Sequence, residues 1–494
     1  MSLLELFKTS KWYAVSKGRA PGIYSSWDEA QEQVNNFSGA SFKAFDTEEK
    51  AREYLEEEPA PVPKPEVRDY GLNTEQKSAF DAVVGGDSIF ITGPGGTGKS
   101  YLLQTLYAHY KGLTGKSLAI TAMTGCAALL LGSWAKTLHS WAGIGIGRLA
   151  PDVIAKAISA DSRKKKRWRQ TDCLVIDEVS MLTPQLLEYL DEVGRIVRKC
   201  DKPFGGIQIV FVGDFYQLPP VSKESTAFAF ESPLWSQVVK KSVQLTQILR
   251  QKDPLFQHIL NEARTGSLSP ESYAMLETRK TMGWKRQEIK PTLLFTKNQD
   301  VNSINSTQLD KLLGEEHIFR AKTTKSPRLP HDVLQTIVDK IDKDAPYEVE
   351  LCIKEKSQVM LLVNQDSEAG LVNGSRGIVT GFGQDGYPLV KFLNGPPLPV
   401  RIPPAAWSSD SEKEGDGVTR EQIPLRLAYA LTIHKAQGAS LDSALIDVGP
   451  STFEYGQAYV ALSRVRSMDA LFIFEISQRA FRAHPAVKAF YASL

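Results

Sequence analysis

Short apolar runs closed by glycine or polar residues recur through the chain: Ile89 to Thr92, Leu118 to Thr121, Cys173 to Ile176 and Ile207 to Val212. Runs of this length bounded by turn residues read as strands, and amphipathic stretches such as Lys77 to Val83 read as helices. Their alternation predicts an α/β fold on a parallel sheet, with its chemistry at the carboxyl ends of the strands. The opening residues follow another pattern. Trp12 to Val15, Ile23-Tyr24 and Ser41 to Phe45 read as strands around the turn Ala20-Pro21-Gly22. Ser26 to Glu29 caps a helix running to about Asn35 and Asp46 to Glu49 caps a second, giving a small α+β unit over residues 9–57. The acidic, proline-rich stretch Glu56 to Pro65 can sustain neither a helix nor a central strand. It predicts a stiff linker, placed at 58–69 and reaching roughly 30 Å at ~3.1 Å per residue. Residues 378–423 break the alternation again, with short runs such as Leu389 to Phe392 between glycine and proline turns, and Ser408 to Gly417 reads as a mobile acidic loop.

Composition narrows the class. A chain of 494 residues has room for about three domains. Its 59 basic residues exceed its 57 acidic ones by two, so nucleic-acid binding must come from local patches rather than a bulk positive field. Cys126, Cys173, Cys200 and Cys352 are scattered without metal-ligand or disulfide spacing, which suits a reducing compartment. No apolar run approaches a membrane span, no signal-peptide core is present, and early Glu5 with no arginine before Arg19 weighs against a mitochondrial presequence. These features predict an intracellular protein, nuclear or mitochondrial in a eukaryote and otherwise cytoplasmic. The densest positive run, Arg163 to Arg169, reads equally as a nucleic-acid contact, a nuclear address or a solvated loop.

The strongest chemistry is GPGGTGKS, comprising Gly93, Pro94, Gly95, Gly96, Thr97, Gly98, Lys99 and Ser100, set between a strand and a helix start. That is the context of a phosphate-binding loop: glycines let backbone amides converge on phosphates, Lys99 offers charge to the β and γ phosphates, and Ser100 can ligate Mg²⁺. The chain is therefore expected to bind a nucleoside triphosphate. Asp177-Glu178 follow an apolar strand about eighty residues on, so Asp177 can hold the metal's water shell and Glu178 can orient and deprotonate the attacking water. Gln217 has the neutral donor–acceptor amide needed to sense a γ phosphate. Gln76, after Leu72-Asn73-Thr74-Glu75, could pair with adenine N6 and N7 and so select ATP.

The small opening unit resembles the hybrid-binding domain of eukaryotic ribonuclease H enzymes and caulimovirus inclusion-body proteins. Tyr13-Ala14-Val15, Gly18-Arg19, Pro21 to Tyr24, Trp27, Gln33-Val34, Phe37, Phe42-Lys43 and Phe45 carry the likeness. The resemblance implies that Tyr13, Trp27, Phe42 and Lys43 face the DNA strand of an RNA–DNA hybrid and that backbone around 36–40 meets the RNA 2′-hydroxyls. Ala44 departs from the family, where a second lysine is frequent; one lost phosphate contact lowers the salt slope by about one unit. Phe37 and Phe45 fit better as core.

Residues 70–494 resemble the Pif family of superfamily 1 DNA helicases. The likeness rests on LNTEQ (72–76), GPGGTGKS, TAMTGCAA (121–128), TLHSWAGIG (137–145), DEVSML (177–182), GDFYQLPPV (213–221), LRQKD (249–253), LVNGSRG (371–377), TIHKAQG (432–438) and AYVALSRVR (458–466). It implies two RecA-like P-loop NTPase domains, at 70–238 and at 239–377 with 424–494, and an SH3-like β-barrel inserted at 378–423. It further implies an ATP- and Mg²⁺-dependent helicase stepping 5′ to 3′ on single-stranded DNA, acting as a monomer on forked duplexes and, given the opening unit, on RNA–DNA hybrids. Replication, repair, recombination and telomere maintenance are the implied settings. A scaffold using ATP as a clamp, or the helicase module of a mobile element, stands as the alternative. Arg250 and Arg464 match arginine fingers contributed from the second lobe, although surface ion pairs are the usual fate of arginine. Thr124, His139, Thr296, Asn298, Thr432 and His434 match DNA-backbone contacts, and the two histidines could instead be satisfied core residues.

Overall fold

The computed structural model describes residues 11–35, 41–56, 70–113, 115–132, 134–145, 149–220, 227–296, 298–325, 331–366, 369–408 and 418–494. The 58–69 linker, the 36–40 segment and all but the first residue of the 408–417 loop lie outside the described residues. The chain divides into two compact units at Gly71 and Leu72.

The first unit is an antiparallel sheet ordered Gly22–Tyr24, Trp12–Lys17, Ser41–Phe45, with helices Trp27–Val34 and Glu48–Glu56. Ser26 Oγ accepts from Glu29 N at 3.3 Å and so stops the first helix from fraying. Ala14, Val15, Ala30 and Ala51 are fully buried. Around this core of small residues Trp12, Tyr13, Phe45 and Tyr54 are half-buried, and Trp27 and Phe42 are exposed.

In the second unit, β-branched and apolar runs make a six-stranded, wholly parallel sheet ordered Lys136–Thr137, Leu118–Ala122, Cys173–Asp177, Gln208–Gly213, Ile89–Thr92, Lys241–Gln244. Register places Thr92 beside Gly213 and Ala122 beside Asp177, so the loops carrying the chemistry leave one edge together. The sixth strand lies beyond residue 238, so the first lobe reaches further along the chain than the sequence boundary suggested.

A second parallel sheet, ordered Ala430–Thr432, Thr292–Phe295, Ala444–Val448, Leu471–Ile476, forms the other lobe. Between its strands in sequence lies an antiparallel sheet ordered Val400–Arg401, Pro388–Phe392, Arg376–Phe382, Gln358–Leu361, Leu425–Leu427, packed on Val359, Val379, Val390, Ile402 and Leu425. This sheet extends past 378–423 on both sides, because Gln358–Leu361 pairs with both Arg376–Phe382 and Leu425–Leu427.

Two further features complete the second unit. Arg163 to Arg169 is no loop: it falls in helix Ser162–Gln170, anchored by fully buried Trp168, whose Nε1 donates to Ala142 O at 2.9 Å. After the last strand of the second lobe, helix Pro485–Ala492 returns to the first, where Phe490 stacks on Phe230 with ring centroids 4.2 Å apart.

Candidate functional site

The phosphate loop links strand Ile89–Thr92 to helix Lys99–Lys111. Three of its glycines, Gly93, Gly96 and Gly98, combine a positive φ with no room for a side chain. At Gly93 (φ 149°) a Cβ would meet Leu245 O at 2.2 Å, and at Gly98 (φ 84°) it would meet Gln76 Nε2 at 2.5 Å. Lys99 Nζ donates to Gly93 O at 2.7 Å and Pro94 O at 2.9 Å. Burial holds its ammonium below the ordinary lysine range, against the pull of Asp214, Glu178 and Asp177. Such a cation, folded onto its own loop, is ready to exchange two carbonyls for phosphate oxygens. Gln76, 2% exposed, completes a capping box with Asn73 and donates Nε2 to Thr97 O at 3.2 Å. Its amide thus braces the loop.

Asp177 ends the third strand of the sheet, and its carboxyl is pushed up to about 7 by burial and by Glu178. Glu178 takes a left-handed conformation, φ 56° and ψ 44°, which a non-glycine residue adopts at a cost of order 1–3 kcal/mol. The turn carries its carboxylate out to the cleft, where Oε2 accepts from Gln437 Nε2 at 2.9 Å. The same Nε2 lies 3.4 Å from Gln217 Oε1.

A cavity of about 760 Å³ is lined by Gly95, Lys99, Glu178, Gln217, Arg250 and Arg464, among others. Arg464, 2% exposed, is held by Val460 O (2.8 Å) and Ser463 Oγ (2.6 Å). Arg250 does not come from the second sheet. It follows the sixth strand of the first, and its backbone N–H donates to Gly96 O at 3.2 Å while its guanidinium reaches across to Ser463 O at 3.1 Å. Burial, then the Arg464 charge beside it, pulls its guanidinium down to about 9. Three cations gathered around one glycine cradle call for a polyanion. Ser100 is exposed at the helix start beside that cradle, and with Asp177 it supplies the oxygen donors Mg²⁺ prefers. Among the described residues no cluster of three or more His, Cys, Asp or Glu could hold a metal by itself.

The residues matched to DNA contact occupy equivalent places in the two lobes. Thr124 and Thr432 each cap a helix directly after a strand, accepting from Ala127 N (3.2 Å) and Lys435 N (3.3 Å), and Thr296 follows strand Thr292–Phe295. His139 lies on helix Leu138–Ala142. His434 is half-buried, and burial holds its imidazole below the ordinary histidine range. Asn298 begins helix Asn298–Asp310, with its side chain outside the described residues.

In the first unit, Trp27 (37% exposed) sits 5.3 Å from the Tyr13 ring and 5.0 Å from that of Phe42 (44% exposed), a surface aromatic cluster. Lys43 does not join it, since its ammonium lies over Phe45 and Tyr54 instead. Among the residues without a role at sequence level, Gln437, Asp214 and Tyr459 lie inside quoted motifs. Arg264 and Tyr491 carry no local signal.

Three family descriptions match the chain: PIF1-like helicase over residues 71–267, DNA helicase Pif1 2B domain over 338–382, and Ribonuclease H1 N-terminal domain over 11–55. Human ATP-dependent DNA helicase PIF1 is 39% identical over 427 residues, covering 86% of this chain but 64% of the human protein. The crystal structure of Pif1 helicase from Candida albicans superposes with a TM-score of 0.72 at 35% identity, over 85% of this chain and 99% of that one. Bacteroides Pif1 in complex with ADP-AlF3 and single-stranded DNA gives 0.60 at 28% identity, over 85% and 97%. Two RecA-like lobes, an intact phosphate loop and these likenesses agree: the chain belongs to the Pif1-like helicase family.

Proposed function

We propose that this protein is an ATP-dependent DNA helicase that translocates on single-stranded DNA and opens duplexes, with an N-terminal unit that engages RNA–DNA hybrids. The observation that carries the reading is the single cavity in which Lys99, Arg250 and Arg464 surround the phosphate loop while Glu178 and Gln217 face it.

Each residue has a distinct task. The loop amides and Lys99 bind the phosphates, and Gln76 braces the loop where adenine would enter. Ser100 and Asp177 would hold Mg²⁺, which would supply positive charge to screen the phosphates. Glu178 orients the attacking water and takes its proton, and the Gln217 amide senses the γ phosphate. Arg250 and Arg464 stabilise charge developing at the transferred phosphoryl group, and because Arg464 comes from the second lobe, closure and hydrolysis are linked. Thr124, Thr296 and Thr432, with His139, His434 and Asn298, would grip the DNA backbone through small polar groups that release it at each step. Bacteroides Pif1, bound to single-stranded DNA and a nucleotide analogue, lends support.

The family match at 11–55 and the Tyr13–Trp27–Phe42 surface support hybrid binding. The motor is a monomer acting 5′ to 3′ inside the cell, in the nucleus or mitochondrion of a eukaryote, with work in replication, repair or telomere maintenance. The motor starts at residue 70, and each parallel sheet forms one of its lobes. Strand displacement on matched DNA–DNA and RNA–DNA forks, with and without residues 1–65, tests both halves. No unwinding by the full chain removes the motor. Equal loss on both forks upon truncation, or none, removes hybrid targeting.

A further inference from the structure

Asp214 is fully buried directly after strand Gln208–Gly213, and five donors converge on it. Arg264 donates Nε to Oδ2 and Nη2 to Oδ1, both at 2.9 Å. Tyr216 N (3.2 Å) and Tyr491 Oη (3.2 Å) donate to Oδ1, and Tyr459 Oη donates to Oδ2 at 3.4 Å. The two phenols are the informative partners. Tyr459 Oη accepts the Gly95 N–H at 2.8 Å, so an amide of the phosphate loop points at a side chain of the second lobe. Tyr491 Oη lies 2.5 Å from Thr92 Oγ1, the residue before the loop, and accepts from Phe215 N at 3.1 Å. A phenol has one proton and two lone pairs. With Thr92 and Phe215 donating, the proton of Tyr491 goes to Asp214. Burial, and then Asp214, keeps both phenols protonated. The Tyr491 ring stacks on Tyr216 at 4.7 Å with the Arg264 guanidinium 5.1 Å away, so its position is fixed without the hydroxyl.

We propose that Tyr491 is a positioning residue for the phosphate loop: through Thr92 it pins the strand end entering the loop, and through Asp214 and Tyr459 it sets the Gly95 amide. The inference rests on the reading of this cleft as an ATPase site. A Cβ at Gly95 would stand 3.5 Å from Arg464 Nη2, so this amide belongs to the end of the cradle that meets the arginine from the second lobe. Misplacing it should cost turnover more than nucleotide affinity, because Gly98 to Ser100, at the other end, retain their contacts.

The test is Tyr491→Phe in the full chain, which keeps the stack and removes only the hydroxyl. Hydrogen–deuterium exchange without nucleotide should quicken about fivefold or more across 93–98. The kcat for DNA-stimulated ATP hydrolysis should fall about three- to tenfold with KM within about twofold, and Tyr459→Phe/Tyr491→Phe should be no more than about twofold slower than Tyr459→Phe alone. Exchange equal to that of the parent, an unchanged kcat, or fully additive losses would overturn the proposal. The exchange measurement needs no hydrolysis, so an inactive parent would refute the motor reading while still leaving this one decided.

Discussion

Gln437 Nε2, from the second lobe, lies 2.9 Å from Glu178 Oε2, at the end of a strand in the first. The carboxylate assigned to activate water is thus engaged by a glutamine from the opposite lobe. Oε1 of that glutamine is buried with no partner among the described residues. A half-satisfied buried amide is a contact ready to rearrange.

Replacing Gln437 with alanine should therefore release Glu178 from the second lobe. The ratio of DNA-stimulated to basal ATP hydrolysis should fall about tenfold, read as phosphate release with and without single-stranded DNA. An unchanged ratio would mean the contact carries no coupling.

Glu178→Gln keeps the size and left-handed turn of the residue while removing its basicity. Hydrolysis and strand displacement should drop by about 10²–10⁴, the usual contribution of a positioned base. Fluorescent-nucleotide binding should change little, since the carboxylate does not belong to the phosphate cradle.

Arg250 offers a test by pH. Its guanidinium, pulled down to about 9 by burial and by Arg464, burdens the folded state wherever both folded and unfolded chains carry the charge, which is below that value. The burden relaxes as pH rises through 9 towards the ordinary arginine range. Arg250→Met should thus raise the nucleotide-free melting temperature at pH 7, by about 2–4 °C for each kcal/mol relieved, and the gain should shrink above pH 9. The same variant should lose about 10³ in turnover. Melting curves at pH 7 and pH 10 decide it.

These groups also mark where sequence reasoning stopped. Strand Ile89–Thr92 and its glycine turn are legible because an apolar run and a phosphate loop are local signals. Arg250 read as a second-lobe residue from its distance along the chain, but a sixth parallel strand at Lys241–Gln244 returns it to the phosphate loop. Strand Leu425–Leu427 was missed as part of the inserted sheet because its partner, Gln358–Leu361, lies far upstream. Lys43 and Phe42 are adjacent in sequence, yet strand alternation sends them to different neighbours.

At the N-terminal unit, Trp27→Ala should weaken hybrid binding roughly 5- to 150-fold, the loss of one aromatic platform at ~1–3 kcal/mol. Lys43→Ala should instead lower the salt slope by about one. Anisotropy titrations on RNA–DNA and DNA–DNA duplexes at several salt concentrations separate the two effects.

The return of helix Pro485–Ala492 to the first lobe has a consequence for synthesis on the ribosome. Thr92 and Tyr491 are 399 positions apart, so at about 5–20 residues per second the contact that braces the phosphate loop forms no sooner than about 20–80 s after the loop is made. Until then the nascent first lobe carries its aromatic cluster, Phe90, Phe215, Phe230 and Trp235, without the Phe490 cover. The nascent chain therefore exposes an apolar surface during the same interval in which its phosphate loop is still unbraced.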